Sequence, residues 1–274
     1  MEVRTALEPA SLTPDTSMVI FVSRTNGGEA SNAAPGDDAE LITKMAASHP
    51  GIQFLAIGVS GLGAQGNISM IDLQASTPPY MGFLAGYLSA VVTDEWRVGS
   101  ITTDDAEGMA FRQGFLNGAV FYCGLCQPTY PPFSGYPLAA SLPQNSTSAE
   151  WQAAAAALIE RGVKTVYLAP GAGDASLVEF LAQSGVGLIG NAAPPGSEVQ
   201  WIATISTDIP AVLEMIWDEL VSGHGGLSIS PPLKLTNIDE EVLTPGRQRL
   251  IEGLIQEIQD GFVDPGVENP SATP

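Results

Sequence analysis

Short runs of β-branched and aromatic residues alternate along this chain with stretches of helical periodicity. Strands joined through intervening helices can lie parallel in a sheet with the helices on its faces, so the alternation points to an α/β fold. Met18 to Val22, Gln53 to Ile57, Val98 to Ile101, Thr165 to Leu168, Val186 to Ile189 and Trp201 to Ile205 read as buried strands, most of them followed closely by Gly, Ser, Thr, Asn or Pro. Between them, Tyr80 to Thr93 reads as a helix because Met81, Leu84, Ala85, Leu88 and Val92 recur at helical spacing, while Gly82 and Gly86 permit close packing. A second helix runs from about Ala106 to Tyr122 behind the capping candidates Asp104 and Asp105. The capping box Thr147-x-x-Glu150 opens a third, which stops at Gly162. A fourth follows Gly173, Asp208 can cap a fifth through Trp217, and Pro245 opens a sixth, Gly246 to Asp260.

Two Pro-Pro segments, Gln74 to Pro79 and Asn191 to Gly196, fall just after strands, and a third break spans Gly223 to Pro232. Each suits a crossing between two lobes, and a chain that crosses in this way suits a hinge that closes on a ligand. The expected organisation is a first part of lobe I over 1–76, lobe II over 77–191, a return to lobe I over 192–225, and a C-terminal crossover, helix and tail over 226–274.

With 274 residues and 45% apolar composition, the chain can bury one large core or two smaller ones. Its 30 acidic side chains face only 10 basic ones, a net charge of −20. That balance repels phosphate backbones and anionic headgroups, so neither nucleic acid nor a membrane surface is an expected partner. The longest apolar run, Met81 to Val92, falls short of the ~20 residues that cross a bilayer. Met1-Glu2-Val3-Arg4 lacks the basic and apolar regions of a secretory signal, so export cannot be read directly from the residues. Cys123 and Cys126 are the only cysteines, and neither His49 nor His224 lies at metal-ligand spacing from them. The pair stands at the C-terminal end of a predicted helix, where no dipole favours a thiolate, which leaves a small structural disulfide if the chain is exported and a reduced buried pair if it is not.

Catalytic patterns are missing. There is no Gly-x-Ser-x-Gly elbow, phosphate loop or His-Glu-x-x-His, and the neighbours Asp37-Asp38 and Asp104-Asp105 point apart rather than forming a dyad. Neither an enzyme activity nor a cofactor or metal is expected. In open parallel sheets ligands bind beyond the carboxyl ends of the strands. That rule selects Ser23, Arg24 and Asn26, then Ser60, Asp104, Asp105, Gly171, Gly173, Asn191, Thr207 and Asp208. Their side chains suit a neutral polar ligand, and the glycines allow close backbone approach. Tyr80, Trp201 and Phe133 are candidates for stacking on a ring. Asp104, Asp105 and Asp208 serve equally well as plain helix caps, and Trp201 as a core residue.

The run Tyr80 to Ala90 with its Phe83-Leu-Ala-Gly-Tyr87, then Arg97-Val-Gly99, Phe111-Arg-Gln-Gly-Phe-Leu-Asn-Gly118, Arg161-Gly-Val-Lys-Thr-Val166 and Ala169-Pro-Gly-Ala-Gly173, resembles the basic membrane protein family of substrate-binding lipoproteins. The resemblance covers roughly 17 to 223. It implies a two-lobed type I periplasmic-binding fold, a lipid anchor outside the cytoplasmic membrane, an ABC permease as partner, and a small polar ligand, which in the best-known members is a purine nucleoside. A sensor or effector domain shares the same fold and is the alternative; a hydrolase is a more distant one. Glu2-Val-Arg-Thr-Ala6 resembles the family's second strand, so the first strand and helix are expected to be lacking. Asn191 stands where the family has an acid for ribose hydroxyls, and Ser206 or Thr207 where it has a lysine, departures that bear on a nucleoside ligand.

Overall fold

The computed structural model describes residues 12, 15–23, 37–73, 78–193 and 200–266. In chain order the elements are β1 (Met18–Val22), α1 (Asp37–Ser48), β2 (Gln53–Ile57), β3 (Ile68–Ile71), α2 (Pro78–Val92), β4 (Val98–Thr103), α3 (Ala106–Cys123), β5 (Leu138–Leu142), α4 (Ser148–Glu160), β6 (Thr165–Leu168), α5 (Ala175–Gln183), β7 (Gly187–Gly190), β8 (Trp201–Thr207), α6 (Ile209–Val221), β9 (Ser228–Ile229), β10 (Leu233–Thr236) and α7 (Pro245–Gln259). They divide into two compact units, one holding residues 12–73 with Asp208–Pro231, the other residues 78–207 with 232–266.

In the first unit β1, β2, β3 and β9 pair side by side in that order, all parallel. Strand β2 is apolar at every position except Gln53, and its alternate side chains serve opposite faces. Phe54 and Ala56 pack with Ile42, Met45 and Ala46 of α1, while Leu55 and Ile57 pack with Val212, Ile216 and Leu220 of α6. The amide of Asn67 reaches the Ile52 carbonyl at 2.7 Å and the His49 carbonyl at 3.1 Å, tying the approach to β3 onto the end of α1.

The second unit is built on a sheet ordered β10-β8-β7-β6-β4-β5, parallel except for β10, which runs antiparallel to β8. Val98, Tyr167 and Ile189 face a core with α2, α3 and α7; Ile101, Val166, Leu168 and Leu188 face α4 and α5. Helices α2 and α3 touch backbone to backbone. A Cβ on Gly82, Gly86, Gly114 or Gly118 would overlap a carbonyl oxygen of the facing helix, those of Phe111, Phe115, Pro79 and Phe83 respectively.

The second crossing corrects the expected organisation. It was expected at Asn191 to Gly196, but β8 pairs in parallel with β7 and buries Ile202, Ala203 and Ile205 in the second unit. The chain therefore leaves that unit only after Thr207, and the return segment extends to Pro231, because β9 pairs with β3. Glu2 to Ala6, Arg24, Asn26 and residues 267–274 of the expected tail lie outside the described residues.

Between α2 and β4 the chain makes a tight turn at Asp94–Trp96, with Glu95 and Trp96 both at φ 54°. Arg97, next in the chain, is buried and clamps the loop that leads into β5. Its guanidinium donates to Glu95 Oε2 at 2.8 Å and to the carbonyl oxygens of Tyr130 at 2.6 Å and Pro131 at 3.2 Å, and Glu95 Oε1 accepts the Thr129 and Tyr130 amides at 2.9 and 3.1 Å. The Arg97 hydrogen bond, ahead of the two backbone amides, holds the Glu95 carboxyl below the ordinary range. Cys123 and Cys126 are joined as a disulfide with Cα atoms 5.1 Å apart, closing the turn after α3.

Candidate functional site

Strands β4, β5 and β6 are parallel neighbours, so their carboxyl ends emerge together. Strand β4 ends at Thr103 and passes through Asp104 and Asp105 into α3. Asp105 is spent on the turn: its Oδ1 accepts the Gly108 amide at 2.7 Å and the Thr103 hydroxyl at 3.0 Å, the geometry of an N-cap. Asp104 is different. Its backbone amide donates to Leu142 O at 3.0 Å, while its exposed carboxylate has no hydrogen-bond partner among the described residues. The tandem acids thus divide their work, the second capping the helix and the first left open to solvent.

After β6 the chain turns through Gly171 and Gly173, at φ 75° and 78°, a conformation glycine adopts without a Cβ penalty. The free side of Gly171 looks onto the Gln144 amide at 3.4 Å and the Thr103 methyl at 3.5 Å, so this turn lies against the ends of both β4 and β5. Asp174 then caps α5, accepting the Leu177 amide at 3.0 Å and the Ser148 hydroxyl. Those contacts, Ser148 first, hold its carboxyl below the ordinary range. Glu107, in the first turn of α3, shows the reverse: desolvation lifts its carboxyl and the neighbouring Asp105 charge adds to the shift. The edge is polar and acidic, with Asp104, Gly171 and Gln144 as its open groups.

Asn191, after β7, is engaged internally at both ends of its amide. Its Oδ1 accepts from the buried Tyr167 hydroxyl at 2.8 Å, and its Nδ2 donates to Ile205 O at 3.2 Å and approaches Met81 Sδ at 3.3 Å. Burial raises the Tyr167 hydroxyl far above its ordinary range, so it stays a neutral donor to that amide. Thr207 closes β8 at the same carboxyl edge. Asp208 begins the other unit as the cap of α6, accepting the Ala211 amide at 3.3 Å. In that first unit, Ser23 follows β1 and Ser60 follows β2, beyond Gly58 at φ 69°; the Ser23 and Gly58 amides donate to Ile57 O and Ile71 O at 3.0 and 3.1 Å.

The aromatic candidates separate by strand direction. Phe133 lies in the loop entering β5, which places it at the amino edge of the sheet, away from the open groups, while Trp201 is the first residue of β8. The Trp201 indole donates to Thr204 Oγ1 at 3.0 Å and packs over Gly190, a structural role. Tyr80, in the first turn of α2, packs half-buried against the main core. Among the described residues no group of His, Cys, Asp and Glu is placed to hold a metal ion. Gln144 and Glu107 were missed from sequence. Recognising β5 would have pointed to Gln144, which follows it; Glu107 read only as an ordinary first-turn acid.

No protein-family model matches this sequence, and no curated protein matches it. Solved structures do. The fold is similar to that of an ABC transporter solute-binding protein from Conexibacter woesei, at TM-score 0.67 and 18% identity over 84% of this chain and 76% of that one. An ABC transporter solute-binding protein from Aeropyrum pernix superposes at TM-score 0.54 with 15% identity, covering 82% and 74% of the two chains. A transcriptional activator of the comK gene from Bacillus halodurans superposes at 0.56 with 14% identity, covering 89% and 79%. At these identities the likeness is one of fold: mixed α/β with parallel sheets flanked by helices, of the type I periplasmic-binding kind.

Proposed function

We propose that this chain is the extracytoplasmic solute-binding protein of an ABC importer, closing on a small, neutral, polar ligand. The observation that carries the proposal is the carboxyl edge of the second sheet. There the open Asp104 carboxylate follows Thr103 in the chain, and the Gly171 turn lies against both Thr103 and the Gln144 amide. A carboxylate accepts from hydroxyl or amine groups, an amide both donates and accepts, and glycine lets the ligand reach the backbone. A largely acidic edge disfavours an anionic ligand. The likeness to the Conexibacter and Aeropyrum solute-binding proteins supports the transport role, and the sequence resemblance supports the basic membrane protein family, a lipid anchor and an ABC permease partner. Asn191, committed to Tyr167 and Ile205, is not counted among the ligand groups, which weakens the case for a ribose in particular.

A second reading, a ligand-sensing effector domain, is favoured by the likeness to the Bacillus halodurans activator. It uses the same edge for the same kind of ligand and differs in location and partner.

Titration calorimetry against sugars, polyols, nucleosides and neutral amino acids tests the proposal. One class is expected to bind with 1:1 stoichiometry, and Asp104→Asn is expected to weaken it by about tenfold or more, the loss of one charge-assisted hydrogen bond. Silence across all four classes, or an Asp104→Asn variant that binds as tightly as the wild type, would contradict it.

A further inference from the structure

The amino edge of the second sheet, opposite the ligand edge, carries a face of a different character. Helix α3 ends there, the disulfide-closed turn follows, and the loop into β5 completes it. Along this path Val120, Phe121, Tyr122, Leu125, Tyr130 and Phe133 are all exposed, Leu125 at 83%, Phe133 at 72%, Tyr130 at 69% and Phe121 at 56%. Their supports are fixed. The Tyr122 ring stands edge-on to Tyr87 at 5.2 Å, and Phe121 lies 5.4 Å from Phe83. The loop bearing Tyr130 and Phe133 is gripped by Arg97 and Glu95, and Tyr136 anchors its far end by donating to Arg161 O at 2.5 Å. Side chains presented from a fixed backbone lose little further freedom on docking.

Two observations identify the occupant. From Gln113 to Ala149 the chain holds no Asp, Glu, Lys, Arg or His, although its net charge is −20. A distinct partner of an acidic protein is steered by charge, whereas a copy of the same acidic chain can approach closely only where charge is absent. Area agrees: at ~150–250 Å² per fully buried aromatic, the exposed parts of the four aromatics, with Val120 and Leu125 added, offer on the order of 700 Å², close to the ~800 Å² per partner of a standard interface. A monomer's largest apolar patch is ordinarily about 300–600 Å².

We propose that this face is a self-association surface, on which a second copy of the chain docks the same aromatic patch about a two-fold axis. Each substitution then acts twice, once from each copy. Sedimentation velocity of the full chain over a concentration series is expected to show a reversible dimer. Leu125→Glu and Phe133→Glu are each expected to weaken it by at least about 30-fold, as the loss of a hot-spot residue does. Leu250→Glu, on the exposed side of α7, is expected to leave it unchanged. Leu125 and Phe133 stand outside the buried clusters, so unchanged melting temperatures accompany the effect. A wild type that stays monomeric at every soluble concentration, a dimer that survives both substitutions, or an equal effect of Leu250→Glu would each overturn the proposal.

Discussion

Gly86→Ala is expected to destabilise the protein by at least about 3 kcal/mol, at the top of the range for overpacked cores, although alanine is the better helix former by roughly 1 kcal/mol. The sign is decided by what faces the glycine. A Cβ there would overlap the Phe115 carbonyl oxygen, with the Ala119 amide nitrogen at 2.8 Å, and neither atom belongs to a side chain that can turn away. Relief requires moving α3 off α2, but Gly82, Gly114 and Gly118 fix the same close approach along the pair, each against backbone. Gly253→Ala, in α7 with nothing within 4 Å, supplies the contrast. There the helix preference is unopposed, and a gain of about 0.5–1 kcal/mol is expected. Urea unfolding followed by circular dichroism reads both, and a Gly86→Ala protein as stable as the wild type would show that the two helices are not in backbone contact.

Arg97→Met is expected to lower the melting temperature by about 5 °C or more and to loosen the loop entering β5. Methionine keeps most of the aliphatic volume and donates nothing, so the Tyr130 and Pro131 carbonyls and the Glu95 carboxylate lose their charged donor together. The Thr129 and Tyr130 amides, which both donate to Glu95 Oε1, are expected to exchange with solvent at least about tenfold faster once that carboxylate is released. Glu95→Gln removes the same pair from the other side, so the double variant should fall short of the sum of the two. The dependence on pH has a definite sign. The folded pKa of Glu95 lies below its unfolded value, so the stabilisation is complete above the ordinary glutamate range and is lost as pH falls through the lowered value. The wild type should lose more stability on acidification than Arg97→Met, and parallel acid titrations of the two would contradict the clamp.

The strands that sequence revealed are the strongly apolar runs, the edge strand Met18–Val22 among them. Gln53 to Ile57 and Thr165 to Leu168 are nearly continuous apolar runs because helices cover them above and below, and both stand where expected. The strands that escaped notice are shorter or weaker. Leu138–Leu142 contains two alanines and a serine, Ile68–Ile71 spans four residues, and Ser228–Ile229 is a two-residue edge. Losing β5 also hid Gln144. Most caps were legible: Thr147 and Asp208 receive the amides that helix geometry requires, as does Asp105 of the Asp104-Asp105 pair, while the Asp174 cap of α5 was not foreseen. That success limited the reading of the site, since a sequence cannot tell which of two adjacent aspartates caps and which stays open; the direction of the chain leaving β4 decides it. Of the aromatic candidates, Phe133 was misplaced for a related reason. Phe133 precedes its strand, and in a parallel sheet the loops that enter strands gather at the edge away from the ligand.

The measurement that bears most directly on the ligand edge is hydrogen exchange of the intact chain with and without a saturating ligand from the calorimetric panel. Protection is expected at the amides of 103–105 and 171–173, the turns that leave β4 and β6, while those of 127–136 at the opposite edge exchange unchanged. Protection confined to 127–136, or spread evenly over the second unit with no focus at the two turns, would contradict binding at the carboxyl ends of the strands.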